Sequence, residues 1–497
     1  MRNCRFVVII VLAAWVPPVS AIAAYPSEPS ESWLYPYLYE LRLRQPAERI
    51  FVSTGPYDRL ETAQWLEDLQ STEAEGRSRW LYRMLRTELA GEARVLREGS
   101  GWTGGIRVES GSETGSPTLA EAQARFAYYS PLGLAFWTSV RTSMNGGDRH
   151  KTETRVWHDR GRAGVEYAGI AFRKQGFTVS LTRDEVSWGA DRRRGLLFSG
   201  TSPCFDMISL GYRRGPVAFT SFHSMLRGGY GEDKDEGVRR FVSAHRLEVL
   251  LGNRISIGMS EAVLYGGPYR SLEPVYLNPL TIFYADQWNS GWNDNILISG
   301  DFALLFPRHL EIRGELMIDD FQYDFGNEPH EFGAGLSITA VNPLDAAASL
   351  LGASYYHIRN QTYGHFVSWN RFIQEGKVMG YGDGPDGDRF DLWVTLARPE
   401  SVNWKARYRF RRKGEGQATD VQEEKGPRVD FPSGTVETSN SVGIEVAWRP
   451  THMWLLTAGG DYHSTRNKEH SEGTDDEGWE LFLCAQFNLN LDAWPSE

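Results

Sequence analysis

The chain has 497 residues, a net charge of −11 and 24% charged residues. An acidic chain of this kind is a poor partner for nucleic acid, whose binding runs on clustered Lys and Arg. With three cysteines, no CxxC and no Cys/His cluster, a structural zinc site has no ligand set, and no later segment reaches the ~20 apolar residues of a spanning helix.

Residues 1–23 read as a secretory signal peptide: Arg2 and Arg5, an apolar run from Phe6 to Val16, then small residues ending in Ala21-Ile22-Ala23. Cleavage after Ala23 removes two arginines and no acid, so the mature chain stands at −13. It also removes Cys4, leaving Cys204 and Cys484. Insertion into a membrane must then be as a closed barrel, because only helices and barrels satisfy every backbone polar group in lipid.

Residues 24–98 read as a helical region expected in the periplasm. Trp33, Leu34, Tyr37, Leu38, Leu41 and Leu43 suggest a first short helix. Ser53-Thr54-Gly55-Pro56 reads as the start of a second, with Leu60, Ala63, Trp65, Leu66 and Leu69 at helical spacing. A third covers about 77–89, with Gly91 beyond its end. Three such helices are marginal alone and must dock on something larger.

Residues 99–497 read as strands. In 309–320, Leu310, Ile312, Gly314, Leu316 and Ile318 share one face, opposite Glu311, Arg313, Glu315, Met317 and Asp319. Period two makes one face apolar and the other charged. The clear strands are 205–213, 216–226, 239–250, 254–265, 295–306, 309–321, 331–339, 347–358, 388–397, 402–412, 437–448, 453–465 and 479–490. Earlier ones fall near 101–110, 125–143, 152–158, 163–173 and 177–187, making eighteen. The same alternation would suit a soluble sandwich, but the links decide. Tight ones at 214–215, 251–253, 307–308, 399–400 and 449–452 alternate with long ones at 188–204, 227–238, 266–294, 359–387, 413–436 and 466–478. Short turns at one end and long loops at the other mark an antiparallel outer-membrane barrel with its turns in the periplasm. Seventeen Trp and twenty-two Tyr suffice for aromatic girdles at two lipid interfaces.

Several segments bear on chemistry. The apolar, aromatic loop 266–294 reads as a plug or sugar-binding element in the barrel mouth, or as a structured loop closing the barrel. Arg246, Glu248, Arg313, Glu315, Arg407 and Arg409 fall on the lumen face, where a space-filling cross-strand ladder is favoured over a permeation lining. Gly382-Asp383-Gly384-Pro385-Asp386-Gly387 matches GxGxxG but contains Pro and precedes no helix, so it is no dinucleotide site. Asp383, Asp386 and Asp388 could hold calcium, although a solvated loop tip is the favoured reading. A Cys204–Cys484 disulfide would require the 188–204 loop to fold back into the lumen. No HExxH, GxSxG or SxxK motif points to an enzyme, and no cofactor is expected.

The segment Thr54-Gly55-Pro56-Tyr57-Asp58-Arg59-Leu60-Glu61 and the barrel motif Ser243-Ala244-His245-Arg246-Leu247-Glu248 carry a resemblance. So do Ser260-Glu261-Ala262-Val263-Leu264-Tyr265-Gly266, Glu273-Pro274-Val275-Tyr276-Leu277-Asn278-Pro279 and Gly314-Glu315-Leu316-Met317-Ile318-Asp319-Asp320. Together they make the chain similar to the capsule assembly protein Wzi family. The resemblance implies an eighteen-stranded outer-membrane barrel with a periplasmic helical bundle, acting as a non-enzymatic lectin that attaches capsular polysaccharide or exopolysaccharide. Its implied partners are that polysaccharide, outer-membrane lipid or lipopolysaccharide, and the polysaccharide export machinery. Candidate sugar contacts, stacking aromatic rings on sugar faces, are Tyr269, Tyr276, Tyr284, Trp288, Trp292, Tyr363, Trp369 and Tyr381. The rival reading is a porin or solute transporter.

Overall fold

The computed structural model describes residues 27–28, 32–46, 50–69, 76–114, 119–144, 161–191, 193–227, 237–291, 293–320, 331–343, 349–398, 400–420 and 430–493. The signal peptide, the expected strand 152–158 and Trp292 lie outside them.

Eighteen antiparallel strands close into one barrel. They are β1 (Gly101–Glu113), β2 (Leu119–Tyr129), β3 (Leu134–Met144), β4 (Gly161–Lys174), β5 (Phe177–Asp184), β6 (Phe205–Arg214), β7 (Val217–Leu226), β8 (Val238–Leu251) and β9 (Ile255–Pro268). The second half is β10 (Asn295–Phe306), β11 (Leu310–Asp320), β12 (Glu331–Val341), β13 (Ser349–Ile358), β14 (Gly387–Ala397), β15 (Val402–Lys413), β16 (Glu437–Trp448), β17 (Trp454–Arg466) and β18 (Asp476–Asn490). β18 pairs with β1, so no edge is left to seek another chain. The expected single strand 125–143 is instead the hairpin β2–β3. Ser130–Gly133 turns it, and Ser130 N–H bonds to Leu134 O. A run of small and aromatic residues hid that turn from the period-two pattern.

Register fixes which face each side chain takes. The outward face is apolar and exposed, including Leu181, Ile208, Met259, Leu316, Ile444 and Leu483. Trp102, Phe177, Trp404, Trp448 and Trp454 ring it near the short turns, and Tyr355 and Trp479 near the long loops. Apolar walls flanked by two aromatic belts are what lipid requires of a barrel.

Among the described residues four helices, not three, precede the barrel: α1 (Leu34–Arg44), α2 (Arg59–Asp68), α3 (Gly76–Glu88) and α4 (Ala90–Glu98). Gly91 does not end α3's path. Leu89 breaks the axis (φ −101°, ψ 21°), and helix resumes because Ala93 and Val95 have an apolar surface to bury against. Nor does Ser53–Pro56 start α2. Thr54–Gly55 pairs as strand with Ser187–Trp188, and Asp58 caps α2 by accepting from Glu61 N–H at 3.0 Å.

The helices close the short-turn end around its circumference. Asn253 donates to Pro46 O, and His309 Nδ1 lies 2.7 Å from Leu43 O. Arg77 reaches Glu400 O and Asn403, the Arg449 guanidinium lies 3.8 Å over the Trp33 ring, and Asn490 Nδ2 donates to Glu88 O at 2.6 Å. Arg173 and Arg213 both reach Glu61. Within the bundle, buried Arg59 and Glu92 pair at 2.7 Å. Burial alone would raise the Glu92 carboxyl, but Arg59 and Arg125 outweigh it and hold it below the usual carboxylate range. This contribution is therefore present at neutral pH and lost only in acid, as the pH falls through the depressed value.

Candidate functional site

The lumen has two unlike halves. Along β8–β11 the charged side chains are sealed: Arg246, Asp301, Glu248, Glu311 and Arg313 are between 0% and 9% exposed. Arg246 forks onto Asp301 (2.6 and 3.0 Å) and donates to Ser260 Oγ and Thr54 Oγ1, both at 2.8 Å. Gly258 makes room, since a Cβ there would stand 2.2 Å from Arg246 Nη2. Glu248 accepts from Thr54 Oγ1 (2.6 Å) and from Val52 and Ser53 N–H, so the segment before α2 is pinned to the wall. The expected cross-strand ladder thus exists at Arg246–Asp301, Arg407–Asp461 and Arg409–Asp391, whereas Arg313 and Glu311 pair along one strand and other charges grip inserted backbone.

Two loops complete the seal. The 185–204 loop is held by Glu315, which accepts from Ala190 N–H (3.2 Å) and Leu196 N–H (3.0 Å). The 359–386 loop is held by buried Arg240, which donates to the carbonyls of Trp369, Arg371 and Ile373 at 2.7–2.9 Å. Between them Leu196, Leu197, Phe198, Phe372, Ile373 and Met379 make an apolar core inside the barrel. A buried cation satisfied by three carbonyls fixes that loop's path more tightly than apolar contact alone.

The half lined by β14–β18 is wet. Arg407, Arg409, Arg411 and Glu480 are 31%, 35%, 33% and 55% exposed. One lumen-facing row crosses Trp393, Arg407, Gly443, Asp461 and Glu480. Arg407 Nε donates to Asp461 at 2.9 Å, and Arg409 Nε to Asp391 at 3.1 Å. The Trp393 ring lies over Gly352, where any Cβ would come within 2.1 Å of it, and stays half-exposed on the lumen side. Beneath this half, Tyr37, Arg77 and Glu88 of the helices meet Asn403, Asn490 and Arg125. The lumen wall on this side therefore presents a partly exposed aromatic face and paired charges of both signs above the helices. These are the groups that stack on sugar rings and bond to hydroxyls and carboxylates.

The residues expected to contact sugar lie outside this row of strand residues. Tyr363 and Tyr381 are core residues: Tyr363 Oη donates to Leu196 O (2.6 Å) and Tyr381 stacks on Tyr356 at 5.1 Å. Burial pushes both phenols up from their ordinary value. Trp369 is half-buried at the rim. Loop 266–294 does not plug the mouth, which corrects the expectation for it. Its short helices α5 (Pro274–Leu277) and α6 (Phe283–Ser290) lie against the outer wall. There Tyr276 is buried, while Tyr269, Tyr284 and Trp288 are exposed. Asp386 is neither a solvated tip nor grouped for calcium. It is fully buried, accepting from Gly416 N–H and Ser433 Oγ, while Asp383 and Asp388 pair with Arg389 and Arg412. Cys204 and Cys484 form no disulfide with each other and stand six strands apart around the ring.

Trp393, which is not among the expected contacts, lies on a strand and not in a long loop. Its signal was parity: a Trp sharing the lumen face with Arg389, Asp391 and Thr395. His245 and Glu261 carried the opposite signal, polar residues at lipid-facing positions.

No protein-family profile and no curated protein matches the sequence. Among solved structures, the chain is similar to Wzi, an outer-membrane protein involved in group 1 capsule assembly in Escherichia coli and described as a carbohydrate-binding β-barrel. The identity is 12% and the TM-score 0.63, with 94% of this chain and 99% of that chain covered. It is also similar to OccD3 (9% identity, 79% and 92% covered, TM-score 0.47) and OprD (11%, 80% and 95%, 0.45), both from Pseudomonas aeruginosa. The coverage of Wzi takes in helices and barrel alike, and the chain has the Wzi fold: an eighteen-stranded outer-membrane barrel closed at one end by an N-terminal helical bundle.

Proposed function

We propose that this protein is a non-enzymatic, lectin-like outer-membrane barrel that attaches or assembles capsular polysaccharide or exopolysaccharide at the cell surface. The observation carrying this reading is the partly exposed lumen wall of β14–β18, with Trp393 and paired charges of both signs, above helices that touch the wall at several points. A through-channel for solutes needs no such floor, and a binder has no use for an exit. The sugar contacts are Trp393, Arg407 and Arg409. The helices stand in the periplasm, where they can meet the export machinery.

A deletion strain is expected to shed its polysaccharide into the medium. Complementation with Trp393→Ala/Arg409→Ala should leave the barrel folded and cell-bound polysaccharide reduced on the order of tenfold, about 1.4 kcal/mol of binding. Full retention of cell-bound polysaccharide by the deletion strain would sink the reading.

Orientation has its own test. In a Cys204→Ala/Cys484→Ser background, an impermeant thiol reagent on intact cells should label Asp420→Cys beyond β15 and spare Thr451→Cys in a short turn. The reverse pattern would invert the barrel.

A further inference from the structure

The outer wall carries a polar interruption at mid-height. Glu261 of β9 and His245 of β8 share the outward face with Leu247 and Met259, and their side chains pair at 3.2 Å. Bare in lipid, such a pair would be costly. The chain covers it with α6: Glu261 accepts from the N–H groups of Phe283 (2.9 Å) and Tyr284 (2.7 Å). This satisfies two of the free donors that begin any helix. Phe283 stacks 4.6 Å from His245, and Tyr276 lies 4.8 Å from Tyr265.

The covering segment is itself apolar on the side away from the wall. Its residues 274–285 contain no charge. Leu277, Leu280, Ile282 and Trp288 are 46%, 81%, 66% and 72% exposed. This surface abuts the lipid-facing belt, because Met259, 63% exposed, is two residues from Glu261 on the same face. In water these side chains would form an apolar patch with nothing to cover it.

We propose that the 269–294 segment is an outer-leaflet anchor, with Leu277, Leu280, Ile282 and Trp288 immersed among lipid acyl chains. The anchor widens the barrel's lipid contact on its β8–β10 side. This inference does not depend on the polysaccharide reading, since it concerns the opposite face of the wall.

Nitroxide labels at Leu280→Cys and Ile282→Cys test it on the full mature chain, reconstituted in phospholipid vesicles in the same thiol-free background. Met259→Cys serves as lipid control and Asp420→Cys as water control. Collisions dominated by oxygen, as at Met259→Cys, are expected. Collisions dominated by a water-soluble nickel chelate, as at Asp420→Cys, would overturn the proposal. Exclusion of both reagents, with dipolar broadening between labels, would also overturn it and mark the surface as a contact with a second copy. A Trp288→Ser variant gives a second readout: it should fold and insert while quenching by brominated lipid falls. Unchanged quenching would count against immersion.

Discussion

In planar bilayers the intact protein is expected to show little or no steady conductance, and a variant lacking residues 32–98 should show large open steps. An eighteen-stranded wall encloses enough space for a water-filled pore unless something fills it. Here two obstructions lie side by side. The 185–204 and 359–386 loops fill the β8–β11 side with an apolar core. The helices floor the rest through Arg77–Asn403, Glu88–Asn490 and Arg125–Glu88. Deleting 271–293 should leave the barrel closed, because that segment packs on the outside at Tyr265 and Glu261. Large steady conductance from the intact chain would favour a porin. Should the helix deletion fail to insert, Arg77→Ala combined with Glu88→Ala loosens the same floor and should raise the frequency of brief openings.

Replacing Arg246 by Ala is expected to be the most damaging single change in the wall. Its guanidinium is 1% exposed and holds Asp301, Ser260 and Thr54 together. Removing one partner of a buried ion pair leaves the other carboxylate uncompensated, which typically costs about 3–5 kcal/mol. The loss should appear as a lower temperature for the shift from folded to unfolded mobility on unboiled gels. Faster proteolysis near residues 50–58 should accompany it, because Thr54 loses its anchor. Arg246→Ala/Asp301→Ala should recover part of the loss, since no lone charge remains. A double variant no better than the single would mean that Arg246 acts mainly through Thr54. By contrast, Arg411→Ala on the wet side should cost about 1 kcal/mol or less, as expected of a solvent-screened pair.

What the sequence determined by itself was everything carried by period and by the lengths of the links. Thirteen of the strands from residue 205 onward, their inward and outward faces, and the alternation of tight and long links follow from a two-residue repeat that lipid and lumen both enforce. At 309–320 the alternation, once the links mark a barrel, places Glu311, Arg313 and Glu315 inside and Leu316 outside. Helical spacing marked α1, α2 and α3, but α4 was lost because a single non-helical residue, Leu89, looked like an end.

Only the tertiary structure decided where the long loops go, because apolar loop residues say that burial is needed without saying against what. Loop 359–386 turns inward since Arg240 offers a cation to its carbonyls. Loop 266–294 turns outward since Glu261 offers a carboxylate to the amides of α6. These two anchors sit on neighbouring strands with opposite parity, and a one-residue difference in face sends one aromatic loop into the lumen and the other towards lipid. The same parity put Trp393 on the lumen wall. A strand repeat can state that parity, but only the closed register shows that Arg407, Asp461 and Glu480 lie level with it.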